Sequence, residues 1–178
     1  MERASSSSQS AFDLLGLPAR FDLDPKTIEQ AFFDRSKELH PDRFASAPAA
    51  ERVVALSRSR ALNDAYQTVK KPVPRAEYLL ARAGVLIGDN ERLDPAFLME
   101  ILELREELAE ARVAKRTSEV ERLQTTMATR RQAAVDRLPG LFATGDLTQI
   151  KEQLILLRYL DRYLEECDAA MEDGDRAE

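Results

Sequence analysis

Apolar residues recur at three- and four-residue intervals along most of the chain, and the runs break at proline and glycine. The first run is short. Ser10 is placed to cap a helix carrying Phe12, Leu14 and Leu15, which Gly16 and Pro18 close. Asp24 caps the next, with Pro25 at its first position, where a missing N–H costs nothing. Ile28, Ala31, Phe32 and Leu39 share a face of that helix with Arg35. It ends near His40, because Pro41 disfavours helical backbone at the residue before it. The spacing predicts a third helix over about Ala49 to Lys70. Val53, Leu56, Leu62, Ala65, Tyr66 and Val69 fall mostly on one side of it, and Pro72 and Pro74 end it.

Together these three helices predict a small unit with a core of Phe12, Leu15, Leu17, Ile28, Phe32, Leu39, Leu62, Tyr66 and Val69. A unit of that size is marginal alone. A short connecting helix is expected over Arg75 to Ala83, burying Tyr78, Leu79 and Leu80, followed by a loop from Gly84 to Arg92.

Three longer helical patterns follow. Asp94 is placed to cap the first, with Pro95 next, and it reaches about Val113. The second runs from about Thr117 to Leu138 and stops at Pro139-Gly140; the third runs from near Thr144 to about Met171. Short connections make sequence neighbours antiparallel. Residues 1–9, polar and serine-rich, and the acidic end after Glu172 are expected to be disordered. The fold class predicted is all-α.

Charge separates the two halves. Residues 1–75 carry 12 Lys+Arg against 10 Asp+Glu, and residues 76–178 carry 14 against 22, so the front is weakly basic and the rear acidic. An acidic rear argues against nucleic acid as its ligand, since phosphate binding needs clustered Lys and Arg. No 18-residue apolar run exists for a membrane span, and the N-terminal stretch has no apolar core of a secretory signal, which makes the cytoplasm the expected location. Cys167 is the only cysteine, which excludes an internal disulfide and a multi-cysteine metal or iron–sulfur site.

His40 is the only histidine, and it stands with Asp42 on the turn after the second helix. Catalysis is a weak reading: no nucleophile with a defined role lies nearby, and adjacent turn residues rarely line a concave pocket. The alternative is that the two merely close a helix and a turn. In the first rear helix, Phe97, Ile101, Leu104 and Leu108 form an ordinary core stripe. Leu98, Met99 and Leu102 lie beside it, and Met99, Leu102, Glu103 and Glu106 form a second stripe, half apolar and half acidic. On periodicity alone this fits a helix buried on two sides, ordinary scattered exposure of apolar residues, or a partner-binding face. Methionine suits an adaptable contact surface.

Phe12 to Leu17, Ala31-Phe32, Leu39 to Phe44 with its His-Pro-Asp, and Leu62 to Val69 together resemble a J-domain. The residues Arg75-Ala76-Glu77-Tyr78-Leu79-Leu80, Phe97-Leu98-Met99-Glu100-Ile101-Leu102-Glu103-Leu104-Arg105-Glu106-Glu107-Leu108 and Leu157-Arg158-Tyr159-Leu160-Asp161 resemble the HscB family, J-type co-chaperones of iron–sulfur cluster assembly. The likeness covers roughly residues 11–167. It implies an L-shaped molecule: a J-domain over 10–75, a connecting helix and loop over 76–92, a three-helix bundle over 93–172, and tails over 1–9 and 173–178. It implies that His40, Pro41 and Asp42, helped by Arg35, Lys37 and Arg43, engage a DnaK-type chaperone, HscA, and stimulate its ATP hydrolysis. It further implies that Leu98, Met99, Leu102, Glu103, Glu106 and Tyr159 bind the scaffold protein IscU; phenylalanine often stands where this chain has Tyr159. Some eukaryotic relatives bind zinc through an N-terminal cysteine motif that this chain lacks, so no metal and no cofactor are expected. The chain itself is expected to be no enzyme, and a monomer with at most weak self-association. The rival reading is a general J-domain co-chaperone for unfolded clients.

Overall fold

In the computed structural model, which describes residues 9–88, 91 and 94–175, every regular element is helical. The helices are α1 (Ala11–Leu15), α2 (Pro25–Leu39), a 3-10 turn (Pro41–Phe44), α3 (Ala49–Lys70), α4 (Pro72–Arg82), α5 (Pro95–Val113), α6 (Thr117–Asp136), α7 (Leu138–Thr144) and α8 (Leu147–Asp175). They form two compact units that divide after Arg82. The tail expected over 1–9 lies outside the described residues but for Gln9, as do Asp89, Asn90 and Arg92 of the expected loop and residues 176–178.

In the first unit, local chemistry sets the helix starts. Ser10 Oγ accepts the Asp13 amide at 3.2 Å while the Asp13 carboxylate accepts the Ser10 amide at 3.0 Å, a reciprocal cap. Gly16 closes α1 at φ +70°, where a side chain would be strained. Asp24 accepts the Thr27 amide at 2.9 Å, and Pro25 opens α2. Phe12, Leu15, Leu23, Ile28, Leu62, Ala65, Tyr66 and Val69 make the core, with Leu17, Phe32 and Leu39 packed against it half-buried. Phe32 stacks on Tyr66 at 4.1 Å.

α3 corrects one expectation. Val53 and Leu56 are 67% and 46% exposed, as is Val54 at 49%, while Ala55 is buried. α1 covers only the end of α3 that carries Leu62 to Val69; the other end has α2 and the 3-10 turn alone to pack on. α4 also starts earlier than expected, at Pro72 rather than Arg75. Proline stops α3 at Lys71, which is extended, and then occupies the first turn of α4, where its missing N–H costs nothing. Leu80 is buried, but Tyr78 and Leu79 are half-buried; the Tyr78 hydroxyl accepts the Ala11 amide at 2.9 Å. Arg75 is buried, with its guanidinium 5.0 Å from the Phe21 ring and donating to the Leu23 carbonyl at 3.4 Å.

In the second unit α8 is the central helix. Ile150, Leu154, Leu157, Leu160, Tyr163 and Cys167 are buried along it against Ile101, Leu108 and Ala111 of α5 and Val120, Leu123 and Met127 of α6. The Tyr163 hydroxyl donates to the Leu104 carbonyl at 2.9 Å. Burial, with Asp168 and Glu166 nearby, pushes the Cys167 thiol up to about 11. Three boundaries differ from the sequence reading. Pro139 and Gly140 do not end a helix at Leu138; they lie inside the short α7, because proline in a first turn starts a helix as readily as it stops one. Gly145 at φ +72° then closes α7, and Asp146, accepting the Thr148 and Gln149 amides at 3.0 and 3.1 Å, opens α8. α8 runs to Asp175, beyond the expected end near Met171, and Arg112 pairs with Asp173. Asp94 makes no side-chain cap; its carbonyl accepts the Leu98 amide at 3.1 Å.

Candidate functional site

Two groups of predicted residues fall on different units. In the first, His40 ends α2 and begins the 3-10 turn, with the extended backbone that the following proline favours (φ −60°, ψ 128°). Its Nδ1 accepts the Asp42 amide at 3.3 Å. The Asp42 carboxylate lies 3.5 Å from the same nitrogen, and the two side chains are 58% and 89% exposed. Arg43 N and Ala45 N close the turn onto the His40 and Asp42 carbonyls. The Arg43 guanidinium reaches back to the Lys37 carbonyl at 3.3 Å, satisfying an acceptor in the last turn of α2.

The predicted cations are not together. Arg35 pairs with Glu38 at 3.3 Å and lies over the end of α1, where its Nη2 is 3.1 Å from the place a Cβ on Gly16 would take. Lys37, two residues on and so on another side of α2, sits 4.0 Å over the Phe33 ring. His40, Asp42 and Arg43 therefore gather at the turn, the Lys37 ammonium lies one turn back over Phe33, and Arg35 belongs to the α1 side. Sequence reasoning missed the apolar part. Phe33 is 53% exposed, and a groove of about 310 Å³ runs under the turn between Leu39, Phe44, Val54, Ala55 and Arg58. Neither His40 nor Asp42 lines that groove.

In the second unit the outer side of α5 carries the other group. Met99 and Leu102, one turn apart, are 58% and 52% exposed. Glu103 and Glu106 are exposed beside them, and Leu98 is half-buried at the edge. Tyr159 is half-buried on α8. Its ring meets Phe97 edge-on at 6.0 Å, and its hydroxyl donates to the Glu91 carbonyl at 3.3 Å. α5 and α8 run parallel with a 61-residue offset, marked by Arg105 with Glu166 and Arg112 with Asp173. The same offset brings Leu98 level with Tyr159. Leu98 and Tyr159 are both half-buried, whereas Met99, Leu102, Glu103 and Glu106 are exposed on the solvent side.

Behind this face stands Arg130 of α6, which the sequence reading did not single out. It holds Glu100 through two hydrogen bonds, at 2.6 and 3.0 Å, and lies 5.1 Å from the Phe97 ring. Those hydrogen bonds keep the Glu100 carboxyl below its usual range. Lys151 pairs with Glu91 at 2.6 Å, with the same effect on Glu91. Among the described residues no three His, Cys, Asp or Glu side chains group to hold a metal, and no helix is long and apolar enough to cross a membrane.

A family model described as the HSCB C-terminal oligomerisation domain matches residues 93–168. A co-chaperone protein HscB homolog from Burkholderia thailandensis is 36% identical over 165 residues, covering 92% of this chain and 94% of its own. One from Paraburkholderia xenovorans is 34% identical over 167 residues, covering 93% and 95%. Among solved structures, chaperone HscB from Vibrio cholerae superposes with a TM-score of 0.77 at 33% identity, over 92% of this chain and 98% of that one. Human co-chaperone protein HscB gives 0.81 at 25% identity, over 94% and 84%.

Proposed function

The chain belongs to the HscB family of co-chaperones, and on that premise we propose that it binds an iron–sulfur scaffold protein of the IscU type, presents it to a DnaK-type chaperone of the HscA type, and stimulates that chaperone's ATP hydrolysis. The observation that carries the proposal is the outer side of α5: two exposed apolar side chains one turn apart, with two carboxylates beside them. Burying Met99 and Leu102 under a partner removes apolar surface from water. Glu103 and Glu106 add charge selection at the rim, which governs encounter more than final affinity.

The His40–Asp42 turn is the chaperone contact. Asp42 offers an almost fully exposed carboxylate for a charge-assisted bond to a partner cation. His40 holds the Asp42 amide, and Pro41 fixes the backbone, so little order is lost on docking. Lys37 and Arg43 add positive charge beside it. One chain carrying both contacts raises the scaffold's local concentration at the chaperone. The chemistry, ATP hydrolysis, belongs to the chaperone, and the cluster is cargo.

The test is the ATPase rate of a purified HscA-type chaperone with IscU-type scaffold. Wild type is expected to stimulate it. Asp42→Ala is expected to abolish stimulation, and Leu98→Ala/Met99→Ala/Leu102→Ala to remove only the scaffold-dependent part. A triple variant that behaves as wild type would leave a general co-chaperone for unfolded clients as the better reading.

A further inference from the structure

α5 exposes more than the face just assigned. Pro95, Met99, Leu102, Glu106, Ala109 and Val113 follow one another at spacings of four, three, four, three and four, and each is exposed. That is the spacing of a helix-packing seam. It runs for about 27 Å and ends at Val113, which is 86% exposed. There it opens into a groove of about 630 Å³ lined by Ala109, Val113, Lys115, Arg116, Val120 and Ala170.

The charge changes sign along the seam. Glu103 and Glu106 border its middle, whereas Lys115 and Arg116 stand at its end. Two other cations of the groove, Arg105 and Arg112, are already held by Glu166 and Asp173. Lys115 and Arg116 make no ion pair among the described residues. Residues 83–178 carry 13 Lys+Arg against 21 Asp+Glu, so Lys115 and Arg116 beside an apolar floor, with Arg116 acting at longer range on Glu119, are a local exception. A second copy laid parallel along the seam would oppose Glu103 and Glu106, and Lys115 and Arg116, to themselves, which like charges resist. A second copy laid antiparallel is tested by sedimentation of the free chain, where a dimer would overturn the assignment of the groove to the partner.

We infer that this groove takes an acidic, apolar segment of the same partner that covers Met99 and Leu102, so that the partner surface extends along the whole of α5. The inference rests on the scaffold-binding reading above. The segment's apolar side chain lies on Ala109, Val113 and Val120, and its carboxylates meet Lys115 and Arg116. Contacts of the second kind are screened by salt.

Isothermal titration calorimetry of the full chain with purified IscU-type scaffold, at low and high salt, decides it. Lys115→Glu/Arg116→Glu is expected to weaken binding about tenfold at low salt and to flatten the salt dependence. Lys115→Gln/Arg116→Gln is expected to fall between, and circular dichroism serves as the check that each variant is folded. Wild-type affinity in both charge variants at both salts, while Met99→Ala/Leu102→Ala loses binding, overturns the groove and leaves the scaffold reading standing. An unaffected Met99→Ala/Leu102→Ala variant overturns the scaffold reading and the groove with it.

Discussion

At Asp42 nearly the whole side chain is in water, and what the residue gives the turn comes from its backbone: the amide that His40 receives and the carbonyl that accepts the Ala45 amide. Asp42→Ala leaves that amide in place, so the variant is expected to melt within about 0.5 kcal/mol of wild type while losing chaperone stimulation. Thermal unfolding beside the ATPase assay separates the two effects. Gly16 is the opposite kind of position. A Gly16→Ala change puts a side chain at φ +70°, 3.1 Å from Arg35 Nη2. It should cost about 1–2 kcal/mol, read as a lower urea midpoint at unchanged slope. Features of this scale were legible in the sequence because they are local. Ser10, Gly16, Asp24 and the proline after His40 act on groups within four residues of themselves. Asp94 shows the limit: residue type made it a candidate cap, but its side chain takes no such bond.

Elements depend on what covers them, and there the sequence says less. Val53 and Leu56 have helical spacing but stay exposed, because α1 is only five residues long and sits on the other end of α3. α7 was hidden for a different reason, since a proline marks a boundary without telling whether a helix ends or begins. The outer side of α5 was half legible: its residues could be named, but only the structure divides Leu98 and Tyr159 from Met99 and Leu102. Arg130, thirty residues from Glu100, had no signal at all. Its pairing gives α5 a pH dependence. The Glu100 carboxyl is depressed in the folded chain, so the stabilisation is complete above about pH 4.5 and is lost as pH falls below that toward the folded value. Glu100→Gln is therefore expected to melt lower than wild type at pH 7 and to show a narrowing gap as pH falls below about 4.5. A gap that stays constant from pH 7 to pH 3 would mean that Arg130 contributes nothing through Glu100.

For the whole molecule, the consequence of two units on one chain is linkage. A tether of this kind supplies an effective concentration of roughly millimolar, far above the micromolar proteins of an assay. Full-length Asp42→Ala mixed in equal amount with full-length Met99→Ala/Leu102→Ala carries one intact copy of each contact, but on different chains. The mixture is expected not to restore scaffold-dependent ATPase stimulation; recovery to the wild-type rate would show that the two contacts act independently.

Cys167 gives the second unit a built-in stopwatch. It is the only thiol in the chain, fully enclosed beside α5 and α6, and its raised pKa keeps it protonated at neutral pH. A disulfide reagent such as dithionitrobenzoate can reach it only when the bundle opens, so the rate of colour release reports how often, or for what fraction of the time, the bundle is open. Scaffold bound along α5 would slow that clock without touching the sulfur, and the first unit, having no cysteine, would never be heard in the signal.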